Sequence, residues 1–441
     1  MVNSSHKPLF TFIAQKIGAF LNEHPVPKID SETEGLEKSP KSNDRRRLGF
    51  TFSFTYSNNS LSSGTMLQWD KGWDIPDAIG KDPCKMLQDA IDELDLPVFV
   101  SALTNDSVGT LMARAYTSPW RSATLVGAIF GTGTNAAYIE RLENIEASQY
   151  RDVPINQGGD RHMVINTEWG AWSDRDTTSL PTTPYDEQLD AVSSNPKIQL
   201  LEKRVSGLYL GELARLVILQ LAEDKVLDMS LERDSPLMKP YGINSSFLTL
   251  VAEESNTSLE SLSLRVENAL RVRNVSLGDV QAIQLITTAI VRRAARLAGA
   301  ALAAIIIQSG RLGSTTSMLK ANKSTVTDSQ VLSPGPRMSS FSMILIRMRY
   351  FVRSVLFHMG LFQSSLKTTV PKDRALPIAE EDIIDIGIDG LLFEAYPTFE
   401  KDLRGALQDV PQIGIQEERR IRIGLAKDGS GVGAALVAQS I

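Results

Sequence analysis

Very little in this sequence can support thiol or metal chemistry. Cys84 is the only cysteine in 441 residues, which excludes an internal disulfide framework and any metal site assembled from several thiolates. The four histidines, none at a metal-ligand spacing, leave little for zinc. The signature loops of several enzyme classes are missing as well: there is no Gly-x-Ser-x-Gly elbow, no His-Glu-x-x-His pair and no complete Gly-x-x-x-x-Gly-Lys-[Ser/Thr] loop. Basic residues are in deficit, 46 Lys+Arg against 52 Asp+Glu for a net charge of −6. A dedicated nucleic-acid binder needs a basic face to neutralise phosphates, so this balance argues against that class. The most apolar run, Ala289–Ile307, is interrupted by Arg292, Arg293 and Arg296. Each would be costly at a bilayer centre, so a buried helix with a charged end is expected instead of a membrane span. Met1–Ser5 is polar with no apolar signal region, and the expected compartment is the cytosol.

What is present is a globular chain, 42% hydrophobic and 22% charged. Its length exceeds a single core of ~100–200 residues, so two or three lobes are expected. Leu9, Ile13, Ile17, Phe20 and Leu21 recur at three- and four-residue steps and predict a helix over Leu9–Glu23. The stretch 28–47 carries charges, Ser and Pro without apolar period and reads as a solvated connector ending in the wet charge run Arg45-Arg46-Arg47. Leu48–Phe54 and Leu96–Leu103 are β-rich, and between them Asp82-Pro83 reads as an N-cap followed by Pro at the first helical position. Leu87, Ile91 and Leu94 form the expected buried stripe of that helix. Ala123–Phe130, Val164–Asn166, Asp382–Ile388 and Arg420–Leu425 are further strand candidates, while Ile198–Leu221, Leu277–Ile307 and Phe399–Leu407 carry helical patterns. This alternation makes the fold class α/β. One region departs from it. The stretch 312–371 is thick with Ser and Thr around Pro334-Gly335-Pro336, then apolar but studded with Arg347, Arg349 and Arg353, which share no helical face. It reads as a low-complexity surface insertion or as translated non-coding sequence.

Polar clusters collect at the strand ends. Asn105 or Asp106 could cap the helix that follows Leu103-Thr104, or present a side chain at the carboxyl end of an α/β strand, where ligands bind. Gly131-Thr132-Gly133-Thr134-Asn135 could bring backbone N–H groups close to phosphate oxygens, and a tight hairpin explains it equally well. Gly429-Ser430-Gly431 opens a small-residue helix, a better context for an anion. Glu168 and Glu202 sit in apolar text, where a lone Glu is usually solvated or ion-paired. Spacing alone ends at a cytosolic α/β enzyme with a polar cleft.

The order of these motifs is more specific than any one of them. Leu48-Gly49-Phe50-Thr51-Phe52-Ser53-Phe54 precedes Trp69-Asp70-Lys71-Gly72-Trp73 and Asn105-Asp106-Ser107-Val108-Gly109-Thr110. Gly131–Asn135, Asn166-Thr167-Glu168-Trp169-Gly170, Ser194-Asn195-Pro196 with Glu202, Gly207-Leu208-Tyr209-Leu210-Gly211-Glu212 and Asp428–Leu436 continue the series. The chain resembles the eukaryotic hexokinase family, nearest in texture to the fungal glucokinases, over Leu9–Glu23, Leu48–Arg311 and Glu381–Ser440. That resemblance implies the two-lobed actin-like ATPase (ribonuclease H-like) fold with a sugar/ATP cleft. The small lobe would cover 1–102 and the large lobe 103–427, with a C-terminal helix at 428–441 returning to the lobe interface. It further implies ATP-dependent phosphorylation of glucose at the 6-hydroxyl, with Asp106 as general base and Lys71 beside it in the catalytic set. Ser53, Lys71, Asn105, Asp106, Asn135, Glu168 and Glu202 would hold the sugar. Thr132 and Gly133 would contact phosphate, Gly429 and Ser430 would form the nucleotide-side loop, and Mg2+ would arrive on ATP with no dedicated metal site. The implied partners are glucose or a related hexose and ATP, without nucleic acid or membrane, and a monomer is compatible with this.

Three departures qualify the expectation. The family's Asp-x-Gly-Gly-Thr-Asn phosphate loop, upstream of the helix at Leu9–Glu23, has no counterpart, so the first strands of the small lobe and one wall of the phosphate site are expected to be absent. Thr55 and Asp70 stand where animal hexokinases usually carry Pro and Thr, and Leu391 replaces a small polar residue after Asp389-Gly390. The insertion 312–371 is the third. Two alternatives follow: a catalytically impaired sugar-binding or regulatory homologue, or a truncated gene model of an active glucokinase.

Overall fold

A computed structural model describes residues 5–25, 45–69, 73–119, 124–145, 162–176, 178–252, 259–312 and 378–440. Lys71, most of the expected connector (28–44) and all but Leu312 of the expected insertion lie outside the described residues. The chain divides into two compact units, Met1–Ala113 with Asp428–Ile441, and Arg114–Lys427.

The first unit opens with helix α1 (His6–Glu23), capped by Ser5 and burying Phe10 and Ala14. Strand β1 (Arg46–Thr51) follows, so Arg46 and Arg47 are strand residues and not the end of a connector. Sheet pairing is made by backbone groups, and charged side chains at a strand's exposed start do not prevent it. Arg45 pairs with Asp92 at 2.9 Å. A hairpin of β2 (Thr55–Ser60) and β3 (Ser63–Gln68) leads to α2 (Pro83–Glu93). The side chain of Asp82 accepts from the Cys84 backbone N–H at 2.9 Å, with Pro83 at the first helical position. Leu87 and Ile91 are fully buried, but Leu94 is 39% exposed because the helix ends one residue before it and the stripe no longer faces inward. Burial, reinforced by the charge of Asp82, pushes the Cys84 thiol up to about 12. Strand β4 (Val98–Thr104) pairs in parallel with β1, and α3 (Asp106–Thr117) follows. Phe52, Phe54, Trp69 and Trp73 pack edge-to-face and stacked around the end of β1, with Phe54 and Trp69 centroids 4.6 Å apart.

The second unit is organised on a five-stranded mixed sheet. Strands β5 (Thr124–Phe130), β6 (Thr134–Arg141) and β7 (His162–Asn166) are antiparallel neighbours. Helices α4 (Pro184–Val192), α5 (Glu202–Val205) and α6 (Gly207–Glu223) come next. The expected single helix over Ile198–Leu221 is therefore broken. Ser206 is extended (φ −82°, ψ 148°), because Gly207 and Leu208 donate their N–H groups to the Gly131 and Thr132 carbonyls and not to a preceding turn. A small ribbon of β8 (Ser230–Leu231) and β9 (Val272–Arg273) accompanies α7 (Ser245–Ala252) and α8 (Leu259–Leu270). The 32-residue α9 (Leu277–Gln308) starts with a Ser276/Asp279 capping box and runs through the core. Its arginines are paired, Arg293 with Asp186 at 2.8 Å and Arg296 with Asp409. Among the described residues, no helix is long and apolar enough to cross a membrane.

Strand β10 (Ile384–Asp389) sits between β5 and β11 (Ile421–Leu425), parallel to both, with α10 (Leu391–Ala395), α11 (Phe399–Asp409) and α12 (Gly414–Glu418) in the connection. Gly390 has φ 116°, and a Cβ there would lie 2.4 Å from the Phe130 carbonyl. Only glycine allows that turn to press on the end of β5.

The last helix, α13 (Gly429–Ser440), belongs to the first unit, where it packs along β1 and β4. It approaches α3 through bare backbone: a Cβ on Gly433 would lie 1.9 Å from the Gly109 carbonyl oxygen.

Candidate active site

In the first unit, Thr51 of β1 and Thr104 of β4 are register partners, so Ser53 and Asn105-Asp106 emerge together beyond the carboxyl ends of two parallel strands. Ligands of α/β proteins bind in such places. The capping ambiguity resolves in favour of Asn105, whose Oδ1 accepts from the Ser107 N–H at 2.9 Å and from the Ser107 hydroxyl at 2.8 Å. Asp106 is the first helical residue and half-buried, its Oδ1 also receiving the Ser107 N–H, at 2.8 Å. The α13 N-terminus is tied to the same end, for Thr51 Oγ1 donates to the Ser430 carbonyl at 3.0 Å. Asp428, at φ 53°, turns the chain into that helix. The first unit thus brings together Ser53, Asn105, Asp106, Gly429 and Ser430. Lys71 and its neighbours Asp70 and Gly72 fall outside the described residues.

The second unit gathers its own group. The β5–β6 hairpin turns through Gly131, Thr132 and Gly133, with the Gly131 N–H donating to the Gly133 carbonyl at 3.0 Å, so the hairpin reading of this run holds. Just past the turn, Asn135 Nδ2 donates to Glu168 Oε1 at 3.2 Å and to Asn166 Oδ1 at 2.8 Å, while Asn166 Nδ2 donates to the same Glu168 oxygen at 2.8 Å. Glu168 adopts a left-handed backbone at φ 47°, a strained choice for a residue with a Cβ and one that concentrates at functional sites. Glu202 joins from α5, its Oε2 accepting from the Thr134 N–H at 3.1 Å. Asn135, Glu168 and Glu202 therefore meet around one turn, although each comes from a different segment. Asn166 was not singled out as a site residue, and its amide closes the triangle. The available signal was its place inside the Asn166–Gly170 run, two residues before Glu168.

The residues expected to face phosphate have suitable chemistry. The carbonyls of Gly131 and Thr132 are occupied by α6 N–H donors, so the turn's acceptors are engaged by protein. Gly429 and Ser430 open a helix of 12 residues, whose first N–H groups and dipole favour an anion. Among the described residues, no group of three or more His, Cys, Asp or Glu side chains gathers in a way that could hold a metal ion.

Residues 125–440 match a family model described as hexokinase, and residues 1–116 match a second with the same description. The chain belongs to the hexokinase family. It is 37% identical to the Aspergillus niger glucokinase, across 99% of this chain and 77% of that protein. With glucokinase-1 of Saccharomyces cerevisiae it shares 33% identity, over 99% of this chain and 75% of the relative. Among solved structures, the Schistosoma mansoni hexokinase complexed with glucose superposes with a TM-score of 0.70 at 26% identity, covering 100% of this chain and 77% of that one. The family and the fungal-glucokinase texture read from the motif order are both supported, and the α/β architecture is that of the solved hexokinases.

Proposed function

We propose that this chain transfers the γ-phosphoryl group of ATP to the 6-hydroxyl of glucose. The observation that carries the reading is the convergence of Asn135, Glu168 and Glu202 on the residues just after the Gly131–Gly133 turn. A sugar hydroxyl both donates and accepts, and carboxylates alternating with amides satisfy both needs. An epimer would leave some of these groups unpaired at a cost, which is the basis of discrimination. Relatives named glucokinase and a related hexokinase solved with glucose support the choice of sugar.

Asp106 takes the proton of the 6-hydroxyl as that oxygen bonds to the γ-phosphorus and ADP departs with the former bridging oxygen. A positioned base contributes ~10²–10⁴-fold to such a step. Its carboxylate suits the role because the neighbouring Asn105 performs the helix cap. Ser53, Asn105 and Lys71 complete the sugar contacts in this reading. Thr132, Gly133, Gly429 and Ser430 would hold the phosphates through backbone N–H and hydroxyl donors, with magnesium carried on the nucleotide. The cytosol is the proposed compartment, and a single buried thiol is compatible with its reducing conditions.

The test is turnover by the full chain with glucose and MgATP, read through a coupled glucose-6-phosphate dehydrogenase. A signal requiring both substrates is expected. Glucose binding by calorimetry without turnover would identify a sugar-binding homologue that no longer transfers phosphate, and the absence of both would refute the proposal.

A further inference from the structure

We propose that Lys203 is a positioning residue for Glu202, acting through a buried ion pair that fixes the loop before α5; the inference rests on the sugar-kinase reading and names what holds its sugar-binding carboxylate in place. Lys203 is 2% exposed, although lysine is rarely buried without a strong reason. Its ammonium donates to Asp190 Oδ1 and to the Asn195 carbonyl, both at 2.7 Å. Asp190, near the end of α4, also accepts the Lys197 N–H on both oxygens at 3.0 Å. One carboxylate therefore ties together the start of the loop, its turn and the residue immediately after Glu202.

The loop needs such a tie. Lys197 and Gln199 both have left-handed backbones, at φ 64° and 60°, conformations that cost energy in any residue with a Cβ and persist only where the surroundings impose them. A second carboxylate completes the enforcement, since Asp174 accepts the N–H groups of Gln199 and Leu200 at 2.9 Å each. Leu201 then donates to the Gly170 carbonyl at 3.1 Å, which locks the loop to the segment carrying Glu168. Glu202 is the next residue, and its own tie to the site is the Thr134 N–H at 3.1 Å. Lys203 touches neither the proposed sugar nor the nucleotide contacts. Its effect on the reaction passes through where Glu202 stands.

The test combines two readouts on Lys203→Met and on the milder Asp190→Asn, which keeps volume and an acceptor but removes the charge. Kinetics with glucose and MgATP should show a glucose KM raised roughly 10- to 100-fold in Lys203→Met, since displacements of about 1 Å have effects of that size, with kcat within about threefold and the MgATP KM unchanged. Hydrogen exchange without sugar should quicken at 131–136 and 195–203 and stay at the wild-type rate in α9. Asp190→Asn should move both readouts the same way by a smaller factor, and it serves if Lys203→Met does not fold. A glucose KM within twofold of wild type, or kcat falling as much as kcat/KM, would overturn the proposal. If wild type itself shows no glucose-dependent turnover, the kinase reading fails. The clamp is then decided by exchange alone: unchanged rates at 131–136 and 195–203 refute it.

Discussion

Two glycines in one helix should respond oppositely to the same substitution. Gly433 of α13 faces α3, where an added Cβ would lie 1.9 Å from the Gly109 oxygen and 2.4 Å from its carbonyl carbon, whereas at Gly431 nothing lies within 4 Å. Alanine favours a helix interior over glycine by ~0.8–1.0 kcal/mol, so Gly431→Ala should stabilise by up to about that amount. At Gly433 the same gain is opposed by overpacking against backbone, which cannot rotate away. Restoring an ordinary contact of 3.4 Å requires the helices to part by roughly 1.5 Å, and forced shifts of this kind cost about 1–3 kcal/mol or more. The net expectation for Gly433→Ala is destabilisation by about 0–2 kcal/mol or beyond, with the sign set against Gly431→Ala. The movement also carries the α13 N-terminus away from Thr51, so the KM for MgATP should rise while the KM for glucose changes less. Thermal unfolding of both variants beside wild type, followed by the two KM values, checks this. Equal melting temperatures for the two variants, or Gly433→Ala as stable as Gly431→Ala with an unchanged MgATP KM, would refute the reasoning.

Other expectations follow from individual titratable groups. Asp385 is fully buried and accepts a fork from Arg114 and a hydroxyl from Thr124 at 2.8 Å; Asp385→Ala strands the guanidinium and should cost about 3–5 kcal/mol in urea unfolding, so an unchanged midpoint would count against the pair. Asp77 is exposed; what desolvation it has pushes its carboxyl upward, but hydrogen bonds from Ser5 and His6 outweigh this and lower the group from 3.8 to about 2. A depressed folded value means that the tie to α1 is complete above about pH 4 and lost as pH falls through about 2. Protection factors over 6–23, corrected for the intrinsic exchange rate at each pH, should fall in that window for wild type, while Asp77→Asn should already show the lowered protection at pH 6; protection unchanged in both would count against the tie. Cys84, with its thiol near 12, should react with iodoacetamide at pH 7.5 at least ~10³-fold more slowly folded than in urea; comparable rates would show that the thiol is accessible.

The elements that rest on local periodicity were legible: α2 from Asp82-Pro83, the ends of α9, the β5 strand and its hairpin turn all stand where composition and capping rules put them. The strand read at Leu48 begins two residues earlier, and that start at Arg46-Arg47 was hidden because its reason for being β is a partner strand some fifty residues away, Val98 opposite Arg46. The break at Ser206 was equally invisible, since nothing in the apolar pattern announces that Gly131 and Thr132 will take the N–H groups of Gly207 and Leu208. The family was readable from the order of its motifs and not from any single one, and the proposed site follows from that family reading. Asn135, Glu168 and Glu202 look ordinary in isolation, and only the fold makes them neighbours. Asn166 and Lys203 escaped because each acts on another site residue, through hydrogen bonds that no spacing rule encodes.

The most direct test of the central claim is the kcat of Asp106→Asn measured beside its glucose affinity. Asparagine keeps an acceptor for the Ser107 N–H, and the cap remains with Asn105, so the variant should fold; its amide oxygen can still accept from the 6-hydroxyl, and glucose affinity should stay within about tenfold of wild type. Its kcat should fall by ~10²–10⁴-fold, equivalent to about 3–5 kcal/mol of lost transition-state stabilisation. An Asp106→Asn protein that binds glucose and turns over at the wild-type rate would contradict the account.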